Sequence, residues 1–280
     1  MADYKGIHGG KVQNFSTNPP APILGQVWYN ETTRTLNYHA AAAAAWASGG
    51  NMNTSRHALA ASGASNTAAL AFTGTTNGDP PGITVNVESY DGSSWTEVNN
   101  VNTGRKLLSG LGTQTAALAT GGTTGSLTAV VESWDGTNWT EVGDLNTARE
   151  RATGVGTTTA ALVFGGLTPG VTAINESWNG TSWTEVADLN TARYQVAGSG
   201  ASNTSALVFG GNKPPNTAAG ETEQWNGTAW TEVADLCQGG QLKGTGTTTS
   251  SLGVGREPSP SAATEEWTDP TLVTRSVDTD

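Results

Sequence analysis

Eleven residues, Glu132-Ser-Trp-Asp-Gly-Thr-Asn-Trp-Thr-Glu-Val142, constrain this chain more than any other stretch, because close copies return at near-constant intervals. The copies run from Glu88 to Val98, Glu176 to Val186 and Glu223 to Val233. Their second aromatic advances from Trp95 to Trp139, Trp183 and Trp230, in steps of 44, 44 and 47 residues. A fixed period of this length means an array. Each unit is too small to bury its apolar faces alone and must stack on its neighbours.

Each copy predicts a β-hairpin. Asp135-Gly136 suits the two positive-φ positions of a type I′ turn, and Trp, Thr and Val on the flanks suit a pleated surface. With that pair at the tip, Trp134 faces Thr137, Glu132 faces Trp139, and the indoles lie diagonally on one face. Upstream, each unit opens on a loop: Asn53-Thr-Ser-Arg56, Asn102-Thr-Gly-Arg105, Asn146-Thr-Ala-Arg149 or Asn190-Thr-Ala-Arg193. A short Gly- and Ala-rich strand follows, as in Gln195 to Gly200. Next comes an apolar strand ending in glycine: Ala68 to Gly74, Ala116 to Gly122, Ala160 to Gly166, Ser205 to Gly211 or Ser250 to Gly255. A loop of variable length then leads into the hairpin, which makes four strands per unit, the make-up of a propeller blade.

The last unit is abbreviated. Cys237-Gln-Gly-Gly240 stands in place of the Asn-to-Arg loop, and Glu265-Glu-Trp-Thr268 is what remains of the hairpin, while Trp46 stands unpaired at the other end. The expected fold is therefore all-β: a propeller of five blades of four strands, closed by pairing of N- and C-terminal strands. Trp46 completes the blade containing Trp267, which leaves no open edge. Six blades is the alternative, if Gly25 to Trp46 and the C-terminal tail build one more. Residues 1–24 read as an extended arm, stiffened by Asn18-Pro-Pro-Ala-Pro22. Residues 25–45 read as a hairpin turning near Glu31-Thr32-Thr33 plus a connector, 46–270 as the propeller and 271–280 as a tail.

Composition mainly excludes. Only 13% of residues are charged and 35% hydrophobic, with 37 glycines, which suits a turn-rich β protein rather than a helical enzyme. A net charge of −11 argues against nucleic acid, whose phosphates require clustered Lys and Arg. No apolar run approaches the ~20 residues of a membrane span, so no membrane insertion is expected. Met1 to Gly6 lacks the features of a signal peptide, so synthesis in a host cytoplasm is expected, and an extracellular role would need another route out of the cell, such as lysis of the host. Cys237 is the only cysteine, and His8, His39 and His57 have no metal-site spacing. No metal, no cofactor and no catalytic residue is expected, since a catalytic residue would break the repeat. Asp135 and Gly136 adjoin, unlike the Asp and Gly of a sialidase Asp-box.

The glycine pairs after the apolar strands (Gly121-Gly122, Gly165-Gly166, Gly210-Gly211), then an aromatic, then Trp about five residues on, resemble kelch-type repeats. The likeness covers roughly residues 46–268. No BTB or BACK-like domain accompanies it. The fuller wording is similar to kelch-like proteins of marine tailed bacteriophages, cyanophages in particular: Gly25-Gln-Val-Trp-Tyr-Asn30, Asp188-Leu-Asn-Thr-Ala-Arg193 and Glu176 to Val186. That resemblance implies a non-enzymatic structural protein of the virion, in the tail, a fibre or a capsid decoration. Its partners would be other virion proteins and a host cell-surface glycan or protein.

Three sets of residues are candidate sites. The repeated tryptophans could stack on sugars, but a residue present in every unit better serves packing between blades; Trp28 and Tyr29, outside the repeat, could anchor the N-terminal hairpin to a partner. Arg56, Arg105, Arg149 and Arg193 share one register. They could ring a channel mouth and hold an anion, or pair with Glu97, Glu141, Glu185 and Glu232 and cap carbonyls between blades. The variable loops Thr75 to Ile83, Thr123 to Leu127, Leu167 to Val171 and Asn212 to Gly220 should emerge on the same face as the Arg loops. Unit-specific insertions on one face suit a binding surface, with Thr75, Asn77, Asp79, Leu167, Asn212 and Lys213 as its candidates. A bacterial glycan-binding or polysaccharide-active propeller is the alternative function. It calls for one unit with private acids and a histidine, a feature this sequence lacks.

Overall fold

A computed structural model describes residues 13–19, 27–38, 48–77, 82–257 and 264–269. The chain divides into two compact units, Met1–Ser48 and Gly49–Asp280. Among the described residues every regular element is a strand, and no helix is long and apolar enough to cross a membrane.

The larger unit is a series of antiparallel sheets, one per sequence repeat. The first comprises Ala60–Ser65, Ala68–Phe72, Val87–Tyr90 and Trp95–Val98. The second comprises Ser109–Gly112, Ala117–Thr120, Val131–Trp134 and Trp139–Glu141, and the third Thr153–Gly156, Ala161–Phe164, Asn175–Trp178 and Trp183–Val186. The fourth has Ala197–Ser202, Ser205–Phe209, Thr222–Trp225 and Trp230–Glu232. Gln241–Gly246, Ser250–Glu257 and Thr264–Thr268 form the fifth. In each sheet the strands lie side by side in chain order, a meander of the kind that builds propeller-like folds.

The first strands of successive sheets abut, from the first sheet through to the fifth. Second strands are therefore covered on both faces, which is why they read as unbroken apolar runs: Ala117–Thr120, Ala161–Phe164 and Ala206 to Phe209 are all buried. Glycine in the first strand lets neighbouring sheets approach. A Cβ on Gly110 would come within 2.7 Å of the Phe72 ring and 2.6 Å of the Ala61 carbonyl.

The hairpin tips differ from the type I′ expectation. Trp134 pairs directly with Trp139 and Glu132 with Glu141, so the loop holds four residues, Asp135 to Asn138. Only Gly136 in this tip has positive φ, +95°. The Asp135 carboxylate accepts the N–H groups of Thr137 (2.8 Å) and Asn138 (2.7 Å). A side chain that satisfies two successive amides removes the need for a second left-handed residue. Asp91, Asn179 and Asn226 do the same in the other copies. The indoles consequently meet directly across the strands, with centroids 5.4 Å apart for Trp134 and Trp139.

The smaller unit holds a hairpin, Val27–Asn30 and Thr35–Tyr38, turning through Glu31 to Arg34 as expected. Its surprise is Gln13–Phe15, which pairs in parallel with Val27–Asn30 inside the stretch read as an arm. The expected closing strand at Trp46 and the tail 271–280 lie outside the described residues, as does Asp79.

Candidate functional site

The repeated polar residues turn inward. Arg56, Arg105, Arg149 and Arg193 are buried and pair with Glu88, Glu132, Glu176 and Glu223 at 2.9, 3.0, 3.1 and 2.6 Å. These partners sit near the start of the third strand of each sheet; the expected Glu97, Glu141, Glu185 and Glu232 are exposed instead. Each arginine also donates to backbone carbonyls, as from Arg149 to Ile174 and Val163 at 3.1 Å each. The other carboxylate oxygen takes the N–H that opens the Asn loop, at 2.6–2.7 Å from Asn53, Asn102, Asn146 and Asn190. Burial pushes the Arg56, Arg105 and Arg149 guanidinium groups below their ordinary pKa, and the adjacent Glu88, Glu132 and Glu176 oppose that shift. Four cations neutralised in this way offer nothing to a bound anion. The ring-of-arginines reading is corrected.

The tryptophans fill the gaps between sheets. Trp139 lies 5.1 Å from Phe72 of the preceding sheet, and Trp230 lies 5.3 Å from Phe164. Trp134, Trp139, Trp178, Trp183, Trp225 and Trp230 are buried, so none presents a face to a sugar. Trp28 is also corrected as a docking residue. It is 6% exposed and donates to Asn18 at 3.2 Å, while Tyr29 is half-buried; the exposed apolar side chains of that hairpin are Val27 and Leu36.

What remains is the loop face. Immediately after each arginine the chain bridges to the start of the variable loop: His57 with Thr75, Lys106 with Thr123, Glu150 with Leu167 and Tyr194 with Asn212. Arg loops and variable loops therefore share one face. The next residue, Ala58, Leu107, Arg151 or Gln195, has φ between 51° and 56°. Left-handed backbone costs a residue with a Cβ roughly 1–2 kcal/mol, so the neighbours must enforce it. They do so by backbone hydrogen bonds from sheet to sheet: Leu107 N–H to Ala58 O (3.0 Å), Arg151 to Leu107 (2.8 Å) and Gln195 to Arg151 (3.0 Å). This belt places a different side chain from each unit at equivalent points of one face.

On the third and fourth units the belt carries a polar cluster. Arg151 donates to the Gln195 side-chain carbonyl at 3.0 Å, stands 6.0 Å over the Tyr194 ring and lies 3.5 Å from the Glu150 carboxylate. The Tyr194 hydroxyl donates to Asn216 at 2.5 Å, and Asn212 donates to the same oxygen at 2.7 Å. Lys213 is paired with Glu221, whose carboxyl is held below its ordinary pKa. Burial works against that ionisation, but the bond to Lys213, the residue's own backbone N–H and the charges of Lys213 and Arg193 outweigh it.

Of the loop candidates read from sequence, Asn77 is exposed, Thr75 and Leu167 are half-buried loop-closing positions, and Asn212 is 3% exposed and bonded internally. Glu150, Arg151, Tyr194, Gln195 and Asn216 were missed. The signal for the first four was available: the two residues after each arginine are His-Ala, Lys-Leu, Glu-Arg and Tyr-Gln, divergent between otherwise uniform units. Among the described residues no three His, Cys, Asp or Glu side chains gather as a metal site would require. Such a face can bind by shape, hydrogen bonds and a cation–aromatic pair. No protein-family model matches the chain, and no curated protein is significantly similar to it.

Proposed function

We propose that this chain is a non-enzymatic virion component of a tailed bacteriophage: a kelch-like propeller of five blades, carried by its N-terminal segment, whose loop face meets a host-surface molecule or another virion protein. The observation that supports a binding role is the contrast between repeated and unit-specific polar side chains. The repeated Arg, Glu and Asn are consumed in internal bonds, whereas the unit-specific ones gather on one face around Arg151, Tyr194 and Gln195. Binding residues on loops held by a rigid scaffold follow the same division of labour. The phage assignment draws on the wording of Gly25 to Asn30 and of the Asp188 to Arg193 loop.

Mass spectrometry of purified phage particles should detect the protein, and the purified protein should bind particles stripped of it or cells of the host. Replacing Arg151 with Ala together with Tyr194 with Phe should weaken that binding at least tenfold without moving the melting temperature. Absence from particles would defeat the virion assignment. Sugar release from host polysaccharide, abolished by one substitution, would replace it with an enzymatic reading.

A further inference from the structure

Around Arg151 the side-chain oxygens are largely spent. Gln195 Oε1 accepts the Arg151 Nη1 group at 3.0 Å, and Asn216 Oδ1 accepts from both Tyr194 and Asn212. The donors are not spent. Arg151 Nη2, Gln195 Nε2 and Asn216 Nδ2 have no partner among the described residues. The ammonium of the half-buried Lys106 has none there either, and its neighbour Leu107 accepts the Arg151 N–H on the belt. The guanidinium is already positioned: it stands 6.0 Å over the Tyr194 ring, lies 3.5 Å from the Glu150 carboxylate, and its side chain is 33% exposed. A ligand for this cluster must bring acceptors. Two cations against the single Glu150 carboxylate favour an anionic one, because charge-assisted hydrogen bonds are the stronger kind.

The surroundings narrow the class further. Among the described residues the exposed large hydrophobic side chains are Val27 and Leu36, both in the smaller unit. The loop face thus lacks the apolar and aromatic anchors on which protein interfaces centre, and a hydrophilic ligand fits it better. A densely charged polyanion does not fit. The chain has a net charge of −11, and the next cation of the face, Lys213, is already paired with Glu221. An isolated carboxylate is compatible, since charges more than about 8 Å away are largely screened at physiological ionic strength.

We infer that the Arg151 cluster is a subsite for an acidic saccharide, a carboxylate-bearing sugar of a surface polysaccharide. The carboxylate sits on Arg151 and Lys106, hydroxyl and ring oxygens accept from the Gln195 and Asn216 amides, and one hydroxyl donates to Glu150. The inference rests on the loop-face reading above and gives that face a ligand class. It makes no use of the four buried arginines, whose charges are neutralised internally.

Calorimetry on the full chain tests it with three probes: short oligouronates, the same oligomers with their carboxyl groups reduced to alcohols, and oligoglutamate. The oligouronates should bind, more weakly as salt rises, and the other two should not. Arg151→Met should lower the oligouronate affinity roughly tenfold and Lys106→Gln several-fold, both at an unchanged melting temperature. Lys243→Gln, in the first strand of the fifth sheet, should change nothing. Equal binding of the reduced oligomers, or an oligouronate affinity that neither Arg151→Met nor Lys106→Gln lowers, would overturn the assignment. Oligoglutamate binding would overturn it too and give the face to an acidic protein segment. If the Arg151→Ala, Tyr194→Phe chain loses host cells but no oligouronate binds the native protein, the acidic-sugar inference falls and the loop-face reading stands. If that variant still binds cells, both fall.

Discussion

At the scale of single residues, each buried Arg–Glu pair fastens the Asn loop and the second and third strands to one another through the guanidinium and carboxylate together. Removing one partner strands the other charge in a dry interior, which typically costs about 3–5 kcal/mol. Glu176→Ala should therefore lower the unfolding free energy obtained from urea titration by that order, and Arg149→Met with Glu176→Leu should cost less than the two singles summed. A single-substitution loss below about 1 kcal/mol, within the range of exposed pairs, would contradict the bridging role. Acid acts on a different carboxylate. The Asn138 and Thr137 amides hold the exposed Asp135 carboxyl below its ordinary pKa, and Ser94 and Ser93 do so for Asp91. A depressed folded-state pKa contributes stability that is present above the ordinary carboxylate range and is lost as pH falls through the depressed value. The tips at Asp91 and Asp135 should thus loosen below that range, while the Asn179 and Asn226 tips, built on a side chain that does not titrate, should hold. An acid titration followed by amide chemical shifts of Thr137 and Asn138 against Thr228 and Ala229 checks this.

At the scale of elements, the hairpin and the variable loop behave oppositely. The hairpin tip tolerates little: Gly136 at φ +95° also has the Thr115 carbonyl 3.3 Å from where a Cβ would stand. Gly136→Val should cost about 1–3 kcal/mol through backbone strain, read as a lowered melting temperature; an unchanged one would refute the tip geometry. The loop from Asn212 to Ala218 is different, since its side-chain bonds to Asn216 serve the face, while the Ala219 and Gly220 carbonyls that hold Gly240 and Leu236 of the next unit lie beyond it. Exchanging it for the short Thr123 to Leu127 version should keep the melting temperature within a few degrees and abolish partner binding, because Tyr194 loses Asn216. Retained binding would move the site to other units. The turn type itself was misread from sequence. Asp-Gly fits a type I′ tip by propensity, but the side chain's two hydrogen bonds and the packing of Trp134 on Trp139 favour the four-residue loop.

At the scale of the whole molecule, the N-terminal unit and the repeat array are separate compact bodies. Deleting residues 1–24 removes the Gln13–Phe15 strand and Asn18, the partner of Trp28 and Asn30. Limited proteolysis of that variant should cut within the hairpin of residues 27–38 and leave the repeat array intact; cleavage inside the array would show the two units to be interdependent. The array was legible in the sequence because a hairpin recurring at a near-constant period admits few folds, and the glycine and apolar runs mark strands covered on both faces. The shared face of Arg and variable loops was legible too, since alternate strands reverse direction. Other features depended on distance through space. The four arginines have two glutamates per hairpin within reach by sequence, and only the folding of the Asn loop back over the second and third strands of its own unit puts Glu132 beside Arg105 while Glu141 faces solvent. The left-handed belt at Ala58, Leu107, Arg151 and Gln195 has no propensity signal, because hydrogen bonds from one sheet to the next hold residues there that would not choose it. Local chemistry thus determined the repeat and its strands, whereas tertiary contacts within each unit and between units decided which charges are buried and which side chains are left to meet a partner.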